Sequence, residues 1–109
     1  MGLPITTRPA VGRWRVRLGD LTLGETSAAL VLEEAGHGPV IYVPRADIDM
    51  ALLTPSNRSS VCPWKGDASY FSLPGAANFV WSYERPIPAV AEIAGHLAFY
   101  PAVTVERIG

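Results

Sequence analysis

Prolines and glycines, ten of each in 109 residues, interrupt this chain so often that long helices have no room. What lies between the interruptions alternates. In Arg13-Trp14-Arg15-Val16-Arg17-Leu18 the apolar residues share one face and the three arginines the other, as a half-buried strand requires. Gly19-Asp20 suits a two-residue hairpin loop, so Leu21 to Glu25 is expected to return antiparallel. Ala28 to Glu34 and Val40 to Val43 read as further strands, the second ended by Pro44.

Arg45-Ala46-Asp47 suits a helical turn leading into another strand, and polar, turn-rich Thr54 to Ser60 reads as loop. Two segments then alternate around Pro74-Gly75-Ala76-Ala77: Cys62 to Ser72, and Phe79-Val80-Trp81-Ser82-Tyr83. They are expected to form the arms of one hairpin. Pro88 as a first helical residue, Val90, Ile93 and Ala94 on one face, and Gly95 as a stop predict a short helix near 88–94. His96 to Tyr100 and Thr104 to Arg107 close the chain as strands. Residues 1–12, with Pro4, Pro9 and no periodicity, read as a loosely held N-terminal arm, leaving a single domain over 13–109. The sum is a mainly β fold of about eight short strands and one small helix, a sandwich or partly closed barrel.

Several function classes are disfavoured. A formal net charge of -1 gives no general attraction to nucleic acid or anionic lipid. One cysteine makes no internal disulfide, no apolar run reaches the roughly 20 residues of a membrane span, and neither end reads as a signal peptide. A cytoplasmic protein without nucleic-acid or membrane partners is expected, its oligomeric state open.

The chemistry-bearing residues concentrate near the hairpin. A period of two puts Phe79, Trp81 and Tyr83 on one face, and Tyr70 lies on the arm opposite. With Trp64 at the rim these rings would wall a pocket for planar or cationic groups; otherwise they fill the core. Lys65, before Gly66 in a turn, would supply a point charge to an anion, or a catalytic amine if buried. Cys62 is either a thiolate nucleophile or a small buried residue. Arg45 and Asp47 follow a strand end, where site residues gather or a plain salt bridge forms. Asp47 with Asp49 would suit Mg²⁺ and a nucleotide, but the phosphate-binding glycine loop is missing. His37 and His96 lack metal-like spacing.

Pro44-Arg45-Ala46-Asp47-Ile48, Cys62-Pro63-Trp64-Lys65-Gly66-Asp67-Ala68-Ser69-Tyr70, Trp81-Ser82-Tyr83 followed by Pro86, and Ile93-Ala94-Gly95 with Phe99-Tyr100 occur in that order. From about Arg13 to about Val105 the chain resembles the bacterial domain-of-unknown-function family 427, sometimes labelled nucleotidyltransferase-like. The resemblance implies a β-tent fold, two antiparallel sheets packed at an angle around a cleft. It also implies functional positions at Glu33, Arg45, Asp47, Cys62, Lys65, Tyr70, Trp81 and Tyr83. Folds similar to this one hold zinc through two Cys-x-x-Cys pairs; with a single cysteine, no such zinc site is expected here. Trp64 stands where tyrosine is common in the family and Asp67 where glutamate is.

The combined expectation is a domain that binds a small planar or anionic metabolite. Its cleft would be walled by Trp64, Tyr70, Trp81 and Tyr83 and charged by Lys65, Arg45, Asp47 and Glu33. The alternatives are an enzyme using Lys65 or Cys62 with Asp47 or Glu33 as proton carrier, and a protein-interaction module. No cofactor is indicated.

Overall fold

The strands follow the alternation closely. A computed structural model describes residues 5–109. Among them are strands β1 (Ile5–Pro9), β2 (Trp14–Leu18), β3 (Leu21–Thr26), β4 (Leu30–Glu34), β5 (Val40–Tyr42), β6 (Thr54–Cys62), β7 (Gly66–Leu73), β8 (Ala76–Ser82), β9 (Leu97–Phe99) and β10 (Thr104–Arg107). Three short 3₁₀ turns, Arg45–Asp47, Met50–Leu52 and Pro88–Ile93, are the only helical pieces among the described residues. The fold is mainly β, as expected.

The strands form three antiparallel sheets, ordered β1-β4-β5, β10-β2-β3 and β6-β7-β8-β9, where two sheets were anticipated. None closes into a barrel. A single bridge between Val43 and Leu97 ties β5 to β9, so the first and third sheets meet edge to edge. A second bridge, Gly24 to Ile48, ties β3 to the segment between the two turns.

The four-stranded sheet carries apolar side chains on both faces, which places it in the middle. Phe71, Leu73, Val80, Leu97 and Phe99 pack toward Val16 and Leu23 of the β10-β2-β3 sheet. From the other face Ala68, Tyr70 and Ala98 join Leu32 and Tyr42 of the β1-β4-β5 sheet, with Val90 and Ile93 as a lid. This second cluster is the one that gathers the tyrosines.

Four expectations are corrected. The strand predicted to follow Arg45-Ala46-Asp47 is only an isolated bridge at Ile48, followed by the second 3₁₀ turn, Met50–Leu52. The arm predicted over 1–12 is not loose where it is described: Ile5–Pro9 pairs with β4, Ile5 opposite Glu34 and Pro9 opposite Leu30, and Ile5 is buried. Its residues 1–4 lie outside the described residues. The loop predicted over 54–60 is most of β6, which pairs with β7. Since β6 is a sheet edge whose side chains mostly face water, it keeps the polar composition of a loop. The helix predicted near 88–94 is a 3₁₀ stretch kinked at Val90 (φ -128°, ψ 34°), whose buried side chain fills the second cluster at the cost of helical continuity.

No helix among the described residues is long and apolar enough to cross a membrane.

Candidate functional site

The predicted hairpin is present, and its register decides what the aromatics do. Tyr70 stands opposite Trp81, and Trp81 opposite Ala98, so the three share one face of the sheet. The Val43–Leu97 bridge sets Tyr42 next along the same row. Ala98 is small enough to leave the Trp81 indole a path across it, and Trp81 Nε1 donates to the Tyr42 hydroxyl at 3.2 Å. Burial pushes the Tyr42 phenol up to about 12, even though this hydrogen bond acts to lower it.

Beside the row, on its Tyr83 side, is Lys65. Its backbone is fixed by hydrogen bonds to Cys62 O and from Ile87 N, and Gly66 (φ 112°) makes the turn possible. The side chain reaches inward. Lys65 Nζ donates to Glu34 Oε1 at 2.7 Å, with side chains only 14% and 16% exposed. The same ammonium lies 5.7 Å from the Tyr83 ring centre. Burial raises the Tyr83 phenol well above its usual range, with Tyr42, Cys62, Tyr70 and Glu34 adding to the effect. Half-buried Cys62 packs against this group. Lys65, Cys62, Tyr70, Trp81 and Tyr83 are therefore brought together, but as packed core around an ion pair.

The remaining predicted residues lie apart from that group. Arg45 reaches the opposite face of the sheet, bonding Ser82, Glu84 and Gly95 O and standing 5.3 Å from the Phe71 ring. Asp47 accepts from the Thr26 hydroxyl at 2.8 Å and borders a polar hollow of about 410 Å³ with Arg13, Glu25 and Ala28. Glu33 points to solvent and pairs with Arg8 at 3.0 Å. Trp64 is 47% exposed and borders neither the hollow at Asp47 nor those lined by Trp81 and by Phe79.

Glu34, not Glu33, is the acid partner of Lys65. The signal was available: with Leu32 buried in the second cluster, a period of two turns Glu34 to the same side and Glu33 outward. Tyr42 was readable in the same way from its strand.

A hollow lies on the other side of the row, toward Phe79 and Tyr100. It measures about 370 Å³ and is bordered by Arg58, Ala77, Asn78, Phe79, Tyr100 and Pro101. Tyr100 meets Phe79 with ring centres 6.1 Å apart and Trp81 at 5.1 Å, both tilted. The Arg58 guanidinium lies 4.8 Å from the Tyr70 ring centre, and the Tyr70 hydroxyl exchanges a hydrogen bond with Ser60 at 2.9 Å. Burial raises the Tyr100 phenol, Tyr70 raises it further, and Arg58 pulls it down. Among the described residues Arg58, like Arg85 and Arg107, has no carboxylate partner, whereas Arg8, Arg13, Arg15, Arg17, Arg45 and Lys65 each have one; of the three, only Arg58 borders this hollow.

Arg58 reaches this place because β6 is irregular. The register slips between Pro55 and Ser59, so Ser56, Asn57 and Arg58 bulge from the ladder. The Ser56 hydroxyl accepts from the Arg58 backbone N–H and donates to the Asn78 side chain. Having been read as loop, the segment concealed Arg58.

Against this geometry, a family model described as a domain of unknown function (DUF427) matches residues 6–108, nearly the whole chain. The chain belongs to that family. No curated protein matches it. Membership in DUF427 covers both sides of the aromatic row, the Lys65 cluster and the Arg58 hollow alike. Among the described residues of this DUF427 domain, no group of three His, Cys, Asp or Glu side chains is arranged to hold a metal ion.

Proposed function

We propose that this DUF427 domain binds a small planar anion in the hollow beside Arg58, its ring against Phe79 and Tyr100. The observation that carries the reading is Arg58 itself: a guanidinium without a carboxylate partner among the described residues, at a hollow of about 370 Å³ walled by rings. That volume lies within the range of small-ligand sites, roughly 300–1,000 Å³. A guanidinium suits a carboxylate or phosphate through two parallel N–H donors. The Tyr100 phenol, raised by burial, stays protonated at neutral pH and keeps a further donor for the same anion. The anchoring charge is thus Arg58 rather than Lys65, Arg45, Asp47 or Glu33. Tyr70 and Trp81 support the site from behind.

The test is calorimetry and thermal shift with benzoate, other aromatic carboxylates and nucleoside monophosphates, on the natural chain and on Arg58→Gln. At least one class should bind, and Arg58→Gln should weaken it about 10- to 100-fold, the worth of a hydrogen bond to a charged group. Silence across the panel, or equal binding by Arg58→Gln, refutes the reading.

A second reading, a protein-interaction module, has one observation in its favour. On and just beyond the free edge strand β6, Val61 is 77% and Trp64 47% exposed. Sedimentation of the natural chain and Val61→Glu over a concentration series tests whether that edge pairs with a second copy.

A further inference from the structure

A second hollow adjoins the first. β5 and β9 are hydrogen-bonded to one another only where Val43 meets Leu97, through two bonds of 2.8 Å. Beyond that bridge the strands part and leave a slot of about 350 Å³ whose lining includes Val40, Ile41, Trp81, Phe99, Val103 and Val105. No charged side chain borders it. Pro101 borders both hollows, and Trp81 of the slot touches Tyr100 of the first at 5.1 Å. The two spaces therefore flank one Tyr100-Pro101 corner, with a guanidinium on one side and mainly apolar, uncharged walls on the other.

We infer that the ligand is an amphiphilic acid, whose anionic head and ring occupy the Arg58 hollow while an alkyl or aryl tail crosses Pro101 into the slot. The inference rests on the reading of Arg58 as the anchor and adds the identity of the rest of the molecule. A purely polar anion would leave the slot walls wet. A tail would remove them from water, and apolar burial is favourable in proportion to area. Length follows too: a bare benzoate fits one hollow, and only a para substituent of several carbons reaches past the proline.

The experiment is a titration of the full chain with benzoate and 4-n-alkylbenzoates from methyl to hexyl, below their aggregation concentrations. Calorimetry gives affinity, and tryptophan emission gives a signal from Trp81. Affinity should rise about two- to fourfold per methylene once the tail enters the slot, and emission should change only for the longer acids. In a Val40→Thr/Val105→Thr variant, which keeps side-chain volume but adds hydroxyls, the ratio of hexyl to methyl affinity should collapse while the thermal midpoint confirms folding. Arg58→Gln should weaken every acid by a similar factor and leave the gain per methylene intact. A flat series with benzoate still binding overturns the tail site and leaves the anion site standing. A gain that survives in the double valine variant places the tail elsewhere and also overturns it. Failure of every acid to bind removes both.

Discussion

Lys65 Nζ lies 2.7 Å from Glu34 Oε1, and this ion pair joins the turn before β7 to the last residue of β4. Both side chains are largely withdrawn from water, so removing one partner strands the other. Lys65→Met and Glu34→Gln are each expected to cost roughly 3 kcal/mol, and the Lys65→Met/Glu34→Gln double variant less than the sum of its parts. Urea unfolding of the four proteins gives the coupling. Additive losses would show that the pair does not act as a unit. Acid binding at Arg58 should survive in whichever variants fold, because neither residue of the pair borders that hollow.

Tyr42 makes stability depend on alkaline pH. Burial, opposed by the hydrogen bond from Trp81, lifts its phenol from 10.0 to about 12. The folded chain thus holds this proton more tightly than the unfolded one. The contribution is complete below about pH 10 and declines as pH rises to about 12, where the unfolded state sheds its proton first, at up to about 1.4 kcal/mol per pH unit. Tyr83, also raised mainly by burial, acts in the same direction. Denaturant midpoints from about pH 8 to 11 should fall with pH in the natural chain and fall less steeply in Tyr42→Phe. Identical slopes would mean that Tyr42 ionises freely in the folded state.

Gly24 is required by proximity. A Cβ there would stand 2.0 Å from the Asp47 carbonyl oxygen and 3.1 Å from Ile48 Cα, both backbone atoms that cannot swing aside. Gly24→Ala should therefore break the β3 bridge to Ile48 and lower stability by about 2–4 kcal/mol. Gly19, in the β2–β3 turn at φ 58°, has open space around it, and Gly19→Ala should cost only the left-handed strain, about 1 kcal/mol. Thermal midpoints of the two variants distinguish the cases. Equal losses would contradict the crowding at Gly24.

How far the residues could be read follows from what each strand faces. A strand with one wet side, such as β2 with its arginines out and Val16 in, announces itself by alternation, and the central β7 and β8, packed on both faces, by their density of apolar and aromatic residues. β6 does not, because an edge strand exposed on most of its length has no apolar face to show. For the same reason Arg58, on that strand, is not singled out by the pattern. The aromatics were recognisable as a group, since Tyr70 and Trp81 do share a face. Whether rings fill a core or border a hollow depends on which strand lies across from them, here β4 and β5 over Tyr70 and Tyr42 and, among the described residues, no strand over Phe79 and Tyr100. Local pattern carries no such long-range information.

Asn78 connects backbone conformation to the site. It is the one non-glycine residue at positive φ (61°) among the described residues, a conformation asparagine tolerates better than most. Its N–H donates to the Ser72 hydroxyl at 3.0 Å, and its side chain holds the Ser56 hydroxyl, which in turn accepts from the Arg58 N–H at 3.1 Å. Asn78 is thus a positioning residue for the bulge that aims Arg58. Asn78→Gly keeps the left-handed backbone while removing the anchor, so stability should drop by no more than about 1 kcal/mol. Affinity for an aromatic acid should nonetheless fall severalfold, and exchange of the Arg58 amide proton should quicken. Asn78→Ala should add backbone strain of about 1 kcal/mol on top of the same binding loss. If Asn78→Gly binds as tightly as the natural chain and the Arg58 amide stays protected, the bulge holds its shape through the β6–β7 ladder alone.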